Sequence, residues 1–226
     1  MRNKINIFSS KKKFYEECKN KLIFATKNRL INSKNFNVAF SGGRTPGPIY
    51  KLFFDEIIRL NLDQNLIHIF LTDERCVSSK SSDSNFNLIY SIIESMKIDI
   101  KIHKMFDSNL GIDKSCDIYE NKLKKIKIDF CLMGFGEDDG HIASIFNYQD
   151  IKLSKQVFSC NPKDVPFKRI SLPMTRIIAA KERLIIGSGT KKYERIKNLS
   201  SGLKDNSALS YIFNNSCSTY FINSPK

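Results

Sequence analysis

Apolar positions along the chain alternate between two periods. From Lys11 to Leu30 the residues Phe14, Cys18, Leu22, Ala25 and Leu30 recur at roughly helical spacing between lysines, which predicts an amphipathic first helix. Asn37 to Phe40 is a short apolar run ending at Ser41-Gly42-Gly43. Pro46 to Leu60 then reads as a helix, with Thr45 as its N-cap and Pro46 in the first turn. The alternation returns with a strand at Leu66 to Leu71, a polar loop at Thr72 to Ser82 and a helix at Asp83 to Met96. A third unit runs from a short strand at Ile100 to Met105 into a helix near Ile112 to Ile126. Ile128 to Met133 is continuously apolar, as expected of a strand covered on both faces, and leads through a glycine-bearing loop to a short helix from His141. Further strands are expected at Arg169 to Leu172, Arg183 to Gly187 and Thr219 to Ile222, with a helix from about Thr190 to Leu199. Strands alternating with helices of this length predict an α/β fold that is Rossmann-like, a mainly parallel sheet with helices on both faces.

Composition adjusts this picture little. The 226 residues, with 41% hydrophobic and 27% charged positions, fit one globular domain spanning 1–226. The net charge of +14 comes from lysines spread along the whole chain beside Asn and Ile, so it reads as a solvated surface rather than a nucleic-acid footprint. A general positive field still favours an anionic substrate. The cysteines Cys18, Cys76, Cys116, Cys131, Cys160 and Cys217 form no CxxC pair and have no histidine at ligand spacing, so neither a metal nor a cofactor is expected. Met1 to Ser10 lacks a leader-like apolar run and no stretch reaches the length of a membrane span, which predicts a cytoplasmic protein with reduced thiols.

Three polar loops fall where an open parallel sheet binds ligands, beyond the carboxyl ends of its strands. In the first, Ser41-Gly42-Gly43-Arg44-Thr45-Pro46, glycines before a helix let backbone amides approach an anion. The spacing is neither a Walker loop nor a GxGxxG fingerprint. In the second, Thr72-Asp73-Glu74-Arg75 followed by Asp83-Ser84-Asn85, Arg75 suits a phosphate or carboxylate, and Asp73 or Glu74 suits sugar hydroxyls or the orienting of that arginine. In the third, Met133 to His141, an imidazole follows Asp138-Asp139-Gly140 at the sheet edge, a natural place for a general base. His68 and His103 lie in or beside apolar runs and read as packing residues. No GxSxG motif supports an acyl-enzyme route. Gly187 to Lys192 again joins a strand to a helix, and Lys191 or Lys192 can complete an anion site.

Together these segments resemble the 6-phosphogluconolactonase family, part of a superfamily that also contains glucosamine-6-phosphate deaminase. SGGRTP resembles the family's phosphate loop, TDERCV with SDSN its DERxVP and SN elements, and MGFGEDDGHIASIF its GxGxDGHTASLFP signature; RISLP is similar to the RxT strand and SGTKK to the GxxK segment. Ser78 and Asn147 stand where the family usually has proline, and Ile142 where it has threonine. DGHIA is also how the deaminases read, but Ser144-Ile145-Phe146 and Arg75 follow the lactonase pattern.

The resemblance implies hydrolysis of 6-phospho-D-glucono-1,5-lactone to 6-phosphogluconate in the oxidative pentose phosphate pathway. His141 would be the general base and Asp139 its orienting acid. Ser41, Gly42, Gly43, Arg44, Thr45, Arg75 and Lys192 would hold the phosphate, with Lys192 preferred to Lys191 by motif register, and Asp73 and Asn85 would contact hydroxyls or support the loops. The expected partner is the small sugar-phosphate lactone, with no nucleic acid and no membrane, acting on a monomer or small homo-oligomer. The alternatives are a deaminase/isomerase in which Asp73 shuttles protons, and a non-catalytic sugar-phosphate binder.

Overall fold

A computed structural model describes residues 3–31, 34–146, 148–153, 156–163, 165–216 and 218–223. Asn147 and Cys217, noted above, lie outside the described residues. The apolar spacing of the first helix is realised in α1 (Lys11–Leu30), where Phe14, Cys18 and Leu22 are fully buried and Ser10 caps the start by accepting the Lys13 N–H. Before it runs β1 (Lys4–Phe8); after it come β2 (Phe36–Phe40), α2 (Pro46–Arg59), β3 (Ile67–Leu71), β4 (Asp73–Arg75) and α3 (Asn85–Met96). The chain continues through β5 (Lys101–Ile102), α4 (Ile112–Leu123), β6 (Phe130–Met133), α5 (Tyr148–Leu153), β7 (Phe158–Cys160) and β8 (Arg169–Ser171). It ends with α6 (Met174–Ile178), β9 (Glu182–Ser188), α7 (Thr190–Ser200), α8 (Ala208–Asn215) and β10 (Thr219–Asn223).

Seven strands form one sheet in the order β1-β10-β9-β6-β2-β3-β5, with every pairing parallel. All four consecutive residues of β6 are buried, so both faces of the central strands are covered. This is the mainly parallel α/β arrangement the alternation predicts. In the core, Phe40 of β2 stacks on Tyr50 of α2 with ring centroids 4.2 Å apart, fixing that helix against the sheet. His68 and His103 are packing residues as expected. Their ring nitrogens lie 3.3 Å apart, and the His103 ring stacks on Phe70 at 4.2 Å.

Several local expectations change. The loop expected from Thr72 contains β4, and β8 does not join the main sheet: both belong to a separate antiparallel sheet, ordered β4-β8-β7. Thr45 occupies the cap position of α2 but has helical backbone angles and makes no side-chain cap bond, because two prolines in the first turn already preset the backbone. No helix starts at His141; Ile142 and Ile145 instead bridge across a tight turn, with Ala143 left-handed at φ 52°. β1, β7, α5, α6 and α8 were not expected; β7, α5 and α6 are too short, at 3, 6 and 5 residues, to show a period. Cys18, Cys76, Cys116, Cys131 and Cys160 are free thiols. Among the described residues no helix is long and apolar enough to cross a membrane.

Candidate active site

The sheet changes direction between β2 and β6. From β2 the strands step outward to β3 and β5, and from β6 to β9 and β10, so the loops leaving β2 and β6 flank a crevice at their carboxyl ends. Hydrogen bonds zip the two loops together. Ser41 N donates to Leu132 O at 3.1 Å, and Gly134 N donates to Ser41 Oγ at 3.2 Å. Tyr50 adds a buried bond from its hydroxyl to Ser41 O. Ser41 therefore both lines the crevice and braces it.

A pocket of about 170 Å³ opens there, lined by Ser41, Gly42, Gly43, Arg44, Thr45, Asp73, Arg75, Asn85, His141 and Lys192. These are all the candidate site residues except Asp139, which stands behind His141. Gly43 takes φ 110°, a conformation open to glycine, and Pro46 starts α2 without an amide hydrogen of its own. A Cβ on Gly42 would overlap the Asn85 carboxamide, so that glycine is what allows Asn85 to reach the loop. Asn85 is held in turn by donating from Nδ2 to Asp73 O at 2.8 Å.

Glu74 does not orient the arginine beside it. It accepts from the backbone amides of Arg75, Asn85 and Phe86 and from Ser84 Oγ, at 2.7–3.0 Å, tying β4 to the start of α3. Burial pushes its carboxyl above the usual range despite those four donors. Asp73 is almost fully buried, and accepts from Ser144 Oγ at 2.8 Å and from Thr72 Oγ1 at 3.1 Å.

The small sheet contributes a residue that sequence reasoning missed. Arg169 of β8 pairs directly with Arg75 of β4, so two guanidinium groups share one face at the pocket. Like charges placed opposite each other on a sheet destabilise it unless something anionic lies between them. The buried Nε of each arginine has no partner among the described residues, although Arg75 does donate to Asp83 O at 2.7 Å. Burial, and then the neighbouring Arg75, lower the Arg169 pKa. Its only signal in the sequence was its place in RISLP.

His141 is the pocket's imidazole. Its Nδ1 lies 2.8 Å from Asp139 Oδ1, which leaves Nε2 without a protein partner among the described residues. Partial burial raises the Asp139 carboxyl, but the hydrogen bonds from the His141 ring and backbone outweigh it and leave the carboxyl below its ordinary value. Gly136 makes the pair possible, because a Cβ there would overlap both the Asp139 carboxylate and the His141 ring. Gly136 N also donates to His141 O at 2.9 Å, closing the turn. Phe146 packs on the imidazole at 4.7 Å and lies under the Arg169 guanidinium at 5.7 Å.

Lys192 enters the pocket over the Phe135 ring at 5.0 Å. Burial is the main cause lowering its pKa, with Arg44 adding to the effect. Lys191 is exposed, 3.4 Å from both Glu137 and Asp138, and does not line the pocket. The pocket thus gathers Arg44, Arg75, Arg169 and Lys192 against one carboxylate, Asp73.

The family model described as glucosamine-6-phosphate isomerases/6-phosphogluconolactonase matches residues 9–215. The chain belongs to this family. A 6-phosphogluconolactonase of Thermotoga maritima is 31% identical over 182 residues, covering 78% of this chain and 79% of that one. A probable 6-phosphogluconolactonase of Dictyostelium discoideum is 29% identical over 195 residues, covering 80% of each chain. The crystal structure of the 6-phosphogluconolactonase from Thermotoga maritima superposes with a TM-score of 0.83 at 25% identity, covering 98% of this chain and 100% of that one. This member of the glucosamine-6-phosphate isomerase/6-phosphogluconolactonase family has its crevice between β2 and β6. The side chains around the crevice determine the chemistry.

Proposed function

We propose that this protein hydrolyses 6-phospho-D-glucono-1,5-lactone to 6-phosphogluconate, with His141 as general base. One observation carries the reading: an imidazole held by a carboxylate on Nδ1 lines the same pocket as four cationic side chains. A dianionic phosphate suits that charge, and its binding energy can fix the lactone relative to the base.

In the proposed step, water attacks the lactone carbonyl as His141 Nε2 takes its proton. The carbonyl oxygen becomes the oxyanion of a tetrahedral intermediate. Collapse re-forms the carbonyl and breaks the bond to the ring oxygen, which leaves with the proton returned by His141. The product acid then ionises. Asp139 fixes the tautomer with hydrogen on Nδ1 and stabilises the imidazolium between the two transfers. Arg75, Arg169, Arg44 and Lys192 hold the anionic groups, while the glycine-loop amides offer further donors. Asp73 and Asn85 contact hydroxyls or steady the loops.

The deaminase alternative needs Asp73 to shuttle protons. Both of its oxygens are engaged by hydroxyl groups, an arrangement better suited to a fixed acceptor. A non-catalytic binder leaves the Asp139–His141 pair without a purpose. The test is formation of 6-phosphogluconate from fresh lactone, followed with a coupled dehydrogenase. A rate no greater than the spontaneous background would overturn the proposal, and ammonia release from glucosamine 6-phosphate would replace it with the deaminase.

A further inference from the structure

The turn that carries Asp139 and His141 is gripped from outside the pocket. Arg195 of α7 donates from Nη1 to Asp138 O at 2.9 Å and from Nη2 to Asp205 Oδ2 at 2.6 Å. Its guanidinium also lies against Gly140, with Nε and Nη2 each 2.7 Å from where a Cβ on that residue would sit. Gly140 has φ 66°, so the turn accommodates both the left-handed backbone and the flat guanidinium only because position 140 has no side chain. On the far side, Gly140 O accepts from Leu209 N at 2.9 Å. Asp205 is itself fixed, accepting from Ser207 N at 3.0 Å and from Ser207 Oγ at 2.5 Å. The Arg195 side chain is 18% exposed, whereas its partner Asp205 is 44% exposed.

We infer that Arg195, locked by Asp205, is a positioning residue for the catalytic pair. The inference rests on the proposed lactonase reading. Arg195 does not line the pocket and touches neither Asp139 nor His141 by a hydrogen bond. It holds the backbone on both sides of Asp139, at Asp138 O and at Gly140. The Asp139 carboxylate, nearly half exposed, owes its aim at His141 Nδ1 to that backbone. Small misplacements of a catalytic group reduce turnover without changing what the anion-binding cations hold. Arg195 on α7 and Asp205 before α8 lie 10 residues apart, but Arg195 is 57 residues from Asp138, so only the fold brings the brace to the turn.

The test compares Arg195→Met and Arg195→Lys, each in the native and the Asp139→Asn background. The readouts are kcat and KM on fresh lactone, with the melting transition as a control and amide hydrogen exchange at residues 138–141 as a measure that needs no turnover. Arg195→Met is expected to lower kcat roughly ten- to a hundredfold at nearly unchanged KM. The same change is expected to cost less than about twofold in the Asp139→Asn background, because the carboxylate it steadies is already disabled. Arg195→Lys restores one of the two bonds and recovers part of kcat. Exchange at the His141 amide is expected to accelerate in Arg195→Met.

An unchanged kcat in a folded Arg195→Met protein, a rise in KM alone, or equal losses in both backgrounds would each overturn the inference. If the native protein shows no lactone hydrolysis, the proposed function fails first. Hydrogen exchange then judges the brace by itself, and unaltered exchange at residues 138–141 overturns it too. Should Arg195→Met not fold, Arg195→Lys and Asp205→Asn carry the same comparison.

Discussion

Asp139 and His141 are joined through both ring and backbone: His141 Nδ1 lies 2.8 Å and 3.0 Å from the two Asp139 oxygens, and the His141 backbone N–H donates to Oδ1 at 3.1 Å. The carboxylate thus sets the position of the residue and the tautomer of its ring together. His141→Ala is expected to lower kcat by roughly two to four orders of magnitude with KM little changed. Asp139→Asn is expected to lower kcat in the same direction. The coupled lactone assay measures both, and a wild-type rate in His141→Ala would exclude it as the base.

Gly136→Ala places a methyl group where the Asp139 carboxylate and His141 ring now meet. The pair has to separate, so kcat should fall by at least about tenfold while affinity for 6-phosphogluconate stays near wild type. Turnover together with calorimetric binding of the product checks this, and a parallel loss of both would point to general damage instead.

Arg169→Met removes one of the two guanidinium groups that face each other across β4 and β8. KM for the phosphorylated lactone is expected to rise about ten- to a hundredfold, the worth of a charge-assisted hydrogen bond, with a far smaller effect on plain gluconolactone. Equal effects on the two substrates would show that Arg169 serves no anion. Arg75→Met is expected to behave alike.

Glu74→Gln exchanges an acceptor of four hydrogen bonds for a group whose nitrogen accepts none. Two donors at the β4–α3 junction lose their partner, at a cost of about 2–4 kcal/mol. The melting temperature should drop by roughly 5–15 °C, read by circular dichroism.

His103 is pushed down to about 4, chiefly by burial and then by His68, whose own pKa is lowered. The unfolded chain binds a proton near pH 6.5 that the folded form refuses until about pH 4, so stability is present at neutral pH and declines as pH falls through that window. The slope contributed by His103 is at most about 1.4 kcal/mol per pH unit. His103→Gln should flatten it; urea unfolding at a series of pH values measures the change, and an unaltered slope would count against the His68–His103 pair as its source.

The order of strands and helices was legible because it is written in local terms. Burial on both faces makes Phe130 to Met133 continuously apolar, and burial on one side spaces Phe14, Cys18 and Leu22 by helical turns. The loops SGGRTP, TDER and GEDDGH could be picked out by residue type alone, since glycines, cations and an imidazole carry their chemistry wherever they stand. Edge strand β1 was missed: Ile5 and Ile7 alternate with Lys4 and Asn6, but the run is five residues long and, as an edge, exposed or half-buried throughout, so its pattern is faint. Only the tertiary structure paired Arg169 with Arg75, turned Glu74 away to cap α3, and set Arg195 against Gly140. Those relations join residues tens of positions apart or decide which way neighbours face. Hydrophobic periodicity records how one segment meets the core, whereas the meeting of two segments is fixed by the packing of the whole.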